Sequence, residues 1–351
     1  MTGTAARVTV SSSHRSLRLG TRGSPLALAQ AGQIARHLQQ RSGRPAVLVT
    51  VATPGDGSSA PIERLGTTGV FTSTLREALL RGDVDLVVHS AKDLPTAPVP
   101  GLQIAAFPAR EDPRDALIWP GGTGLNTLPR GARIGTGSPR RAALLRATGC
   151  QPQIVPMRGD VGTRLRKLAA GEADALVLAM AGLSRLGMPG PVICPLEASV
   201  LMPAPAQGVL AVECRSDDPA TTGYVRTLDH APTRAAAITE RGFLAGLGAG
   251  CSVPAGAIAV PARGSGGEPA MRVSGVIAAA DGSAVIRGRV RGPAGEPLGR
   301  RLARMLLQHG GAALLGRSRP VSSSLNLQDH MMPAHLVERE AWYCQGGEGN
   351  D

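Results

Sequence analysis

The stretch LRLGTRGSPLALAQ (17–30) decides the fold of this chain. Its apolar start predicts a short strand, and TRGSP predicts a turn that leads into a helix ending near Arg41. Ser24 is a good N-cap, Pro25 suits the first helical position, and Gly43 fits the residue that ends the helix. A strand that runs directly into a capped helix is the unit from which α/β sheets are built.

The same unit recurs along the chain. AVLVTVA from Ala46 and VDLVVHS from Val84 are typical of buried strands, with a helix near 72–81 between them. A second domain of this kind follows the turn at Glu111, with strands ARIGT, QIVPM and ADALVLAMAG. The later strand GVLAVEC (208–214) suggests that the chain crosses back into the first domain. This alternation of strands and amphipathic helices predicts two α/β domains with largely parallel sheets.

The chain after Ala231 changes character and predicts a small α+β third domain. One helix, TRAAAITERGFLAGL, is followed by the strands MRVSGVIAAA and SAVIRGRV and by a helix near 298–309. The Gly/Ser/Pro-rich segment 261–269 predicts a flexible insertion, and we expect both chain ends to be disordered. The predicted boundaries are 1–16 for an N-terminal extension, 17–108 plus about 209–226 for domain 1, 114–202 for domain 2, 231–345 for domain 3 and 346–351 for a tail.

Length and composition exclude several classes of protein. Hydrophobic residues make up 42% of the 351 residues, which is enough for sizeable cores and excludes wholesale disorder. No apolar run approaches the ~18 residues of a membrane span, and the first residues lack the apolar middle of a secretory signal. The five cysteines stand far apart without a CxxC pair, so we expect a cytoplasmic protein rather than a disulfide framework or a zinc site.

The charge of the chain predicts an anionic ligand. The formal net charge is +12, and only Lys92 and Lys167 among the 38 basic residues are lysines. Genomic base composition is an alternative explanation for this bias, but arginine is also the side chain that binds carboxylate or phosphate through a planar fork. Because aromatic residues make up only 2% of the chain and no basic run reaches five residues, small anions are favoured over nucleic acid.

Three predicted helix starts carry arginine, although a cation there is disfavoured by roughly 0.3–1 kcal/mol. They are Arg22 before the cap Ser24, Arg140 and Arg141 after Ser138 and Pro139, and Arg158 before the cap Asp160. Backbone N–H groups, a small residue and a guanidinium together form an anion clamp at a strand end, where open α/β sheets bind ligands. The alternative is that these arginines lie on solvated surface.

Two further motifs carry chemistry. HSAKDLP (89–95) places Lys92 and Asp93 at the carboxyl end of a strand, where they are candidates for ligand binding and proton transfer. The alternative is that Lys92 and Asp93 form a surface ion pair worth ~0–1 kcal/mol. We interpret His89 as a buried core histidine. LGAGCSVPAG (247–256) places Cys251 between small residues, which predicts a reactive or modified thiol. The alternative is that Cys251 is an inert small residue in a turn. The sequence has no Walker A loop, HExxH or strand-linked GxGxxG.

These motifs together resemble the porphobilinogen deaminase (hydroxymethylbilane synthase) family. Eight stretches occur in the order of the family and cover most of 17–256. They are TRGSPLALAQ, VDLVVHSAKDLP, REDPRDALI, IGTGSPRRAALL, MRGDVGTRLRKL, DALVLAMAGLSRLG, PAQGVLAVECR and GAGCSVPAG. A shared fold alone does not generate so many such stretches, so the resemblance is specific to the enzyme.

The resemblance implies a fold and a reaction. The fold has two α/β domains like those of type II periplasmic binding proteins, with mixed sheets, and a small α+β C-terminal domain. The reaction is the head-to-tail condensation of four porphobilinogen molecules onto a dipyrromethane primer, with loss of ammonia, followed by hydrolytic release of hydroxymethylbilane. Neither a metal nor a nucleotide is implied. The implied enzyme is a monomer of porphyrin and heme synthesis whose product passes to uroporphyrinogen-III synthase.

The resemblance also implies roles for individual residues. Cys251 carries the primer through a thioether, and Asp93 is the catalytic carboxylate that faces the pyrrole nitrogens. The residues implied to bind the cofactor are Lys92, Asp93, Ser138, Arg140, Arg141 and Arg164. Those implied to bind substrate are Arg22, Ser24, Arg158, Arg164 and Arg185. A carboxylate beside a ring nitrogen stabilises the cation that forms when ammonia leaves, and the arginines bind the acetate and propionate groups.

Other interpretations remain open at this point. A non-catalytic anion-binding protein on the same two-lobed fold predicts no role for Cys251, and a nucleic-acid binder predicts a contiguous basic face. A duplicate enzyme of a specialised pathway has the same motifs as a housekeeping one. The sequence departs from the family at Thr68, Gly137, Asp160 and Gly248, and these departures bear on the turnover rate.

Overall fold

A computed structural model describes residues 16–52, 70–122, 124–188, 193–248, 253–264 and 266–316. Cys251 and Thr68 therefore lie outside the described residues. The first part of the chain forms β1 (Leu17–Thr21), α1 (Pro25–Ser42), β2 (Ala46–Thr50), α2 (Val70–Leu80), β3 (Leu86–Ser90) and β4 (Leu102–Ala106). The next part forms β5 (Asp115–Ile118), β6 (Arg133–Gly135), α3 (Pro139–Arg146), β7 (Gln153–Val155), α4 (Val161–Ala169), β8 (Ala175–Ala179), α5 (Met180–Arg185) and β9 (Ile193–Leu196).

The remaining elements return to the first sheet and then form a third one. They are β10 (Leu210–Arg215), α6 (Pro219–Arg226), α7 (Ala231–Gly246), β11 (Ala255–Arg263), β12 (Pro269–Ala278), β13 (Val285–Gly292), α8 (Glu296–Leu306) and α9 (Ala312–Leu314). A π-helical turn, Leu307–Gly311, joins the last two helices. No helix in the described ranges is long and apolar enough to cross a membrane.

Two five-stranded sheets have the same architecture. Their strand orders are β2-β1-β3-β10-β4 and β7-β6-β8-β5-β9. In each sheet the first three strands are parallel, and the fourth, β10 or β5, runs antiparallel to both of its neighbours. The chain crosses from the first sheet to the second after β4 and crosses back after β9. The predicted fold class, two mixed α/β domains with a small C-terminal domain, is confirmed.

The predicted helix caps explain where the helices begin. The Ser24 hydroxyl accepts a hydrogen bond from the backbone N–H of Ala27, and Gly43 ends α1 in the left-handed region at φ 67°. Ser138 caps α3 and Asp160 caps α4 in the same way. Because these caps follow directly on strand ends, they fix the start of each helix at the carboxyl edge of its sheet.

The third domain packs two helices on a three-stranded antiparallel sheet, β11-β12-β13. Helices α7 and α8 approach so closely that a Cβ placed on Gly299 would lie 2.0 Å from the carbonyl oxygen of Thr239. On the sheet, Ile258 and Val276 join the hydrophobic core of the second domain. The third domain is thereby attached to the second through a shared apolar core.

Two predictions about this fold were wrong. Strand β2 is not buried, because it lies at the edge of its sheet, and Val47 and Leu48 are 49% and 40% exposed. The segment 261–269 is not a flexible insertion over its whole length, because Pro261 and Arg263 pair with β12. Glycine and proline content predicted a loop there, but proline is accommodated in a strand that has an edge free of pairing.

Candidate active site

Lys92 and Asp93 lie where the sequence placed them, at the carboxyl end of β3. They belong to a short 3₁₀ turn, Ala91–Asp93, in which Lys92 is half-buried and Asp93 is exposed. The turn is held from the third domain by Arg241, whose guanidinium donates to the carbonyls of Ala91, Leu94 and Pro95 at 3.2, 3.0 and 2.7 Å. Asp93 is therefore an accessible carboxylate on a fixed backbone.

Lys92 is linked to the second domain through Gln207. Its Nζ donates to Oε1 of Gln207 at 3.4 Å, while Nε2 of Gln207 donates to the carbonyl of Pro113 at 2.8 Å and to Asp115 at 2.9 Å. Burial lowers the pKa of Lys92, and the Asp93 carboxylate opposes that effect. The chain Lys92–Gln207–Asp115 thus joins a cation of one domain to a carboxylate of the other.

Arg140 and Arg141 meet on one carboxylate, that of Asp115, which is fully buried. Nη1 of Arg140 and Nη2 of Arg141 both lie 2.7 Å from it. Burial alone would raise the pKa of Asp115, but the two guanidiniums outweigh it and hold the pKa of that carboxyl well below its usual range. Both arginines are themselves buried, so this part of the predicted clamp is an internal ion cluster rather than a solvated surface.

Arg158 and Arg164 extend the positive charge along the same edge. Arg164 is half-buried, and its Nε donates to the carbonyl of Gly159 at 2.8 Å. Burial lowers the pKa of Arg164, and the nearby charges of Arg141 and Arg158 lower it further. The acid Asp160 is occupied at the cap, where it accepts from the N–H of Thr163 at 2.6 Å.

In the first domain, Arg22 and Ser24 occupy the turn after β1 that corresponds to 136–138 after β6. Both residues are half-buried, and the Ser24 hydroxyl is engaged in capping α1. The Ser138 hydroxyl likewise accepts from the N–H of Arg141, at 3.4 Å. Each serine retains its hydroxyl hydrogen as a donor for a ligand oxygen.

Arg185 lies apart from the Asp115 cluster, beside the crossover segments. Its Nη2 donates to the carbonyl of Gly208 at 2.6 Å, and its buried Nε has no hydrogen-bond partner in the described part of the chain. Burial lowers the pKa of Arg185 to about 10, against the opposing charge of Glu111. It lines a cavity of about 250 Å³ together with Glu111 and residues of α1 that include His37. Arg185 therefore lies beside the crossover segments and this cavity rather than in the arginine pair on Asp115.

The crossover segments are fixed by residues that sequence reasoning missed. Glu240 on α7 is fully buried and receives both Nη atoms of Arg110, at 2.6 and 3.0 Å. The same carboxylate accepts from the backbone N–H groups of Ala206 and Ala259. Asp115 and Gln207 were missed as well. The available signal for Asp115 was an acid that opens the apolar strand DALI.

The site can bind an organic anion with several carboxylates. Guanidinium and ammonium groups line the carboxyl ends of strands in both lobes, and the exposed Asp93 stands beside them. Donors for carboxylates and one carboxylate for a ring N–H are what a dipyrromethane with acetate and propionate side chains requires, so the residues fit that group. Within the described ranges, no group of three or more His, Cys, Asp or Glu side chains is arranged to hold a metal ion.

By its fold and its site, the chain belongs to the class of two-lobed α/β proteins with a cationic cleft. The family model "Porphobilinogen deaminase, dipyromethane cofactor binding domain" matches residues 17–223, and "Porphobilinogen deaminase, C-terminal domain" matches 235–308. The porphobilinogen deaminase of Nocardia farcinica is 52% identical over 308 residues, which cover 85% of this chain and 88% of that protein. Porphobilinogen deaminase 1 of Streptomyces coelicolor is 46% identical over 312 residues, covering 86% and 98%.

The chain belongs to the porphobilinogen deaminase family, an enzyme family with a dipyrromethane cofactor-binding domain. Among solved structures, a periplasmic substrate-binding protein of an ABC transporter from Coxiella burnetii aligns with a TM-score of 0.37 and 17% identity, over 64% of this chain and 96% of that chain. The fold of this chain is defined by the strand order of its two five-stranded sheets.

Proposed function

We propose that this chain is a hydroxymethylbilane synthase, a transferase of porphyrin and heme synthesis. It condenses four porphobilinogen molecules head to tail, releases one ammonia at each addition, and frees hydroxymethylbilane by hydrolysis. The observation that supports this function best is the chain Lys92–Gln207–Asp115 with Arg140 and Arg141, which gathers cations of both domains beside the exposed Asp93. The similarity to proteins named porphobilinogen deaminase points to the same reaction.

Asp93 is the group that handles charge at the reacting centre. Its exposed carboxylate accepts hydrogen bonds from pyrrole N–H groups and stabilises the positive charge that develops on the ring as the aminomethyl group loses ammonia. The same carboxylate takes and returns the proton that each addition moves. Dipyrromethane, when bound, supplies the pyrrole carbon onto which substrate is added.

The cationic residues bind and orient carboxylates. In this proposal Lys92, Ser138, Arg140, Arg141 and Arg164 hold the acetate and propionate groups of the cofactor. Substrate units are bound by Arg22, Ser24, Arg158, Arg164 and Arg185. Because charge-assisted hydrogen bonds fix direction as well as affinity, this set keeps the reacting ring against Asp93 while remote carboxylates remain bound.

The remaining assignments follow from the same function. We assign the thioether link to Cys251. Cys150, Cys194 and Cys214 are free thiols, which supports a reducing, cytoplasmic setting. The proposed enzyme acts as a monomer and passes its product to uroporphyrinogen-III synthase, the enzyme class that closes a linear tetrapyrrole into a ring.

The intact mass of the purified chain tests this function. We expect an excess equal to two deaminated pyrrole units on the peptide that contains Cys251, and no excess in the Cys251→Ser variant. Incubation with porphobilinogen should add further units to the wild-type chain only. A chain that stays unmodified before and after that incubation would instead support a non-catalytic anion-binding protein on the same fold.

A further inference from the structure

The environment of Asp115 is unusual because one carboxylate serves two arginines. It is 0% exposed and stands at the first position of β5. Its oxygens accept from Nη1 of Arg140 at 2.7 Å, from Nε and Nη2 of Arg141 at 3.1 and 2.7 Å, and from Nε2 of Gln207 at 2.9 Å. All four bonds come from side-chain donors.

The two arginines do not use the same donors. Arg141 places its Nε–Nη2 edge on Asp115 and its Nη1 on the carbonyl of Val177. Arg140 uses only Nη1, which donates to Asp115 and to the carbonyl of Met202. Within the described part of the chain, the Nε–Nη2 edge of Arg140 makes no hydrogen bond.

The Nε–Nη2 edge is one of the two by which arginines hold carboxylates in this protein, the other being the Nη1–Nη2 edge that Arg110 places on Glu240. Arg76 uses it to bind both oxygens of Glu213, each at 2.9 Å. Arg18 uses it to bind Asp85, at 3.2 and 2.7 Å. The arginine pair on Asp115 therefore presents one vacant two-pronged edge, which matches one carboxylate.

The net charge of the arginine pair also predicts that it binds one carboxylate. Two guanidiniums balanced by one carboxylate leave one net positive charge. A ligand carboxylate matches the charge of the pair, whereas a small dianion such as sulfate exceeds it and would have to draw on neighbouring cations such as Lys92. Without Asp115 the pair would carry two positive charges and would suit a dianion.

We propose that Asp115 is a specificity-determining residue, which commits Arg141 and limits the arginine pair to one carboxylate, so that the site rejects small inorganic dianions. Asp115 acts through the two arginines and is a positioning residue rather than a catalytic one. The proposal rests on the proposed function only for the identity of the carboxylate ligand. Its chemistry, a monoanionic carboxylate preferred over sulfate or phosphate, stands on the contacts given above.

The test compares sulfate with acetate by isothermal titration calorimetry. The full chain carrying Cys251→Ser is used, so that no covalent primer competes for the arginines, and a melting curve checks that each variant is folded. We expect Asp115→Asn to raise the ratio of sulfate to acetate affinity at least tenfold. Asp115→Glu keeps the charge and should keep the original ratio. A folded Asp115→Asn protein with an unchanged or lower ratio would overturn the proposal, because a merely structural role predicts weaker binding of both anions.

A matched control and a second variant make the result decisive. Asp174→Asn removes a carboxylate of the same domain that pairs with Arg133 on the surface, and it should leave the ratio unchanged. Arg141→Gln leaves Arg140 and Asp115 as a neutral pair, so both anions should bind at least tenfold more weakly although the Arg140 edge remains. If Asp115→Asn does not fold, the test rests on Arg141→Gln. Acetate and sulfate binding as tight as in the parent protein would then overturn the proposal. A wild-type chain that makes no hydroxymethylbilane would end the proposed function without altering these affinities.

Discussion

The two α/β domains share one backbone frame and differ in what they place on it. In the second domain Asp115, the first residue of β5, lies opposite Ala179, the last residue of β8. In the first domain the corresponding first residue of β10 is Leu210, which lies opposite Ser90 at the end of β3. One position next to the cleft thus holds a carboxylate in one lobe and a leucine in the other, and the arginine pair lies in the lobe that has the carboxylate.

The first domain has its own buried carboxylate, three residues further along the antiparallel strand. Glu213 on β10 receives Nε and Nη2 of Arg76 from α2, and Nε2 of His89 lies 3.3 Å from it. The corresponding residue of β5 is Ile118. The first lobe therefore uses its buried charge to anchor a helix and carries the exposed Asp93, to which we assign the chemistry. The second lobe uses its buried charge at the cleft.

The division of labour between the lobes is tested most severely by Asp93→Asn. The amide cannot take a proton or balance ring charge, so we expect turnover to fall by about 10²–10⁴-fold while the primer remains attached. Steady-state rates of porphobilinogen consumption and the intact mass provide the two readouts. The matched control is Asp83→Asn, an exposed acid of the same domain paired with Arg81, which should retain full turnover. Substantial activity in Asp93→Asn would remove Asp93 from the mechanism.

Glu213→Gln tests whether the buried carboxylate of the first domain is structural. Removing one partner leaves the Arg76 charge buried without a counter-ion, so we expect the free energy of unfolding to fall by about 3–5 kcal/mol. Urea unfolding measures that loss. The KM of the folded fraction should remain within about twofold, since no ligand group is altered. A large change in KM without a loss of stability would make the two lobes alike rather than different.

The same carboxylate predicts a pH dependence. Burial raises the pKa of Glu213, but the neighbouring His89 and Arg76 outweigh burial and lower it from 4.5 to about 2. A pKa depressed in the folded state contributes stability above pH ~4.5, and that stability is lost as the pH falls toward 2. The difference in unfolding free energy between wild type and Glu213→Gln should therefore shrink by about 3 kcal/mol over this range. A difference that is independent of pH in acid unfolding curves would contradict the assignment.

The sequence predicted the local features of both lobes and missed the long-range ones. The caps at Ser24, Ser138 and Asp160 were predictable because each depends on a few neighbouring residues. The ion cluster on Asp115 was not, because it joins residues 25 and 26 positions apart whose meeting depends on how α3 packs against β5. The burial of β2 was mispredicted for a related reason, since an apolar strand looks the same at an edge as in the middle of a sheet.

A smaller contrast lies at the opposite ends of the two sheets. Arg18 and Asp85 form the same backbone and side-chain hydrogen bonds as Arg133 and Asp174, but the Asp85 side chain is 17% exposed and that of Asp174 is 40% exposed. Because water screens the more exposed pair, we expect Asp85→Asn to cost about 1–2 kcal/mol and Asp174→Asn at most about 1 kcal/mol. Urea unfolding of the two variants side by side measures the difference. Equal losses would show that burial does not separate the two lobes here.

The smallest expected effect comes from Asp160→Asn at the start of α4. Asparagine caps a helix as well as aspartate does, so the free energy of unfolding should change by less than about 0.5 kcal/mol. The carboxylate is exposed and lies near Arg164, and its loss should strengthen anion binding there and lower the KM for porphobilinogen by about twofold. Asp160→Ala separates the two roles, because it should lower KM equally but cost about 1 kcal/mol of stability through the lost cap. If KM rises in both variants, Asp160 assists the arginines of the second lobe instead of opposing them.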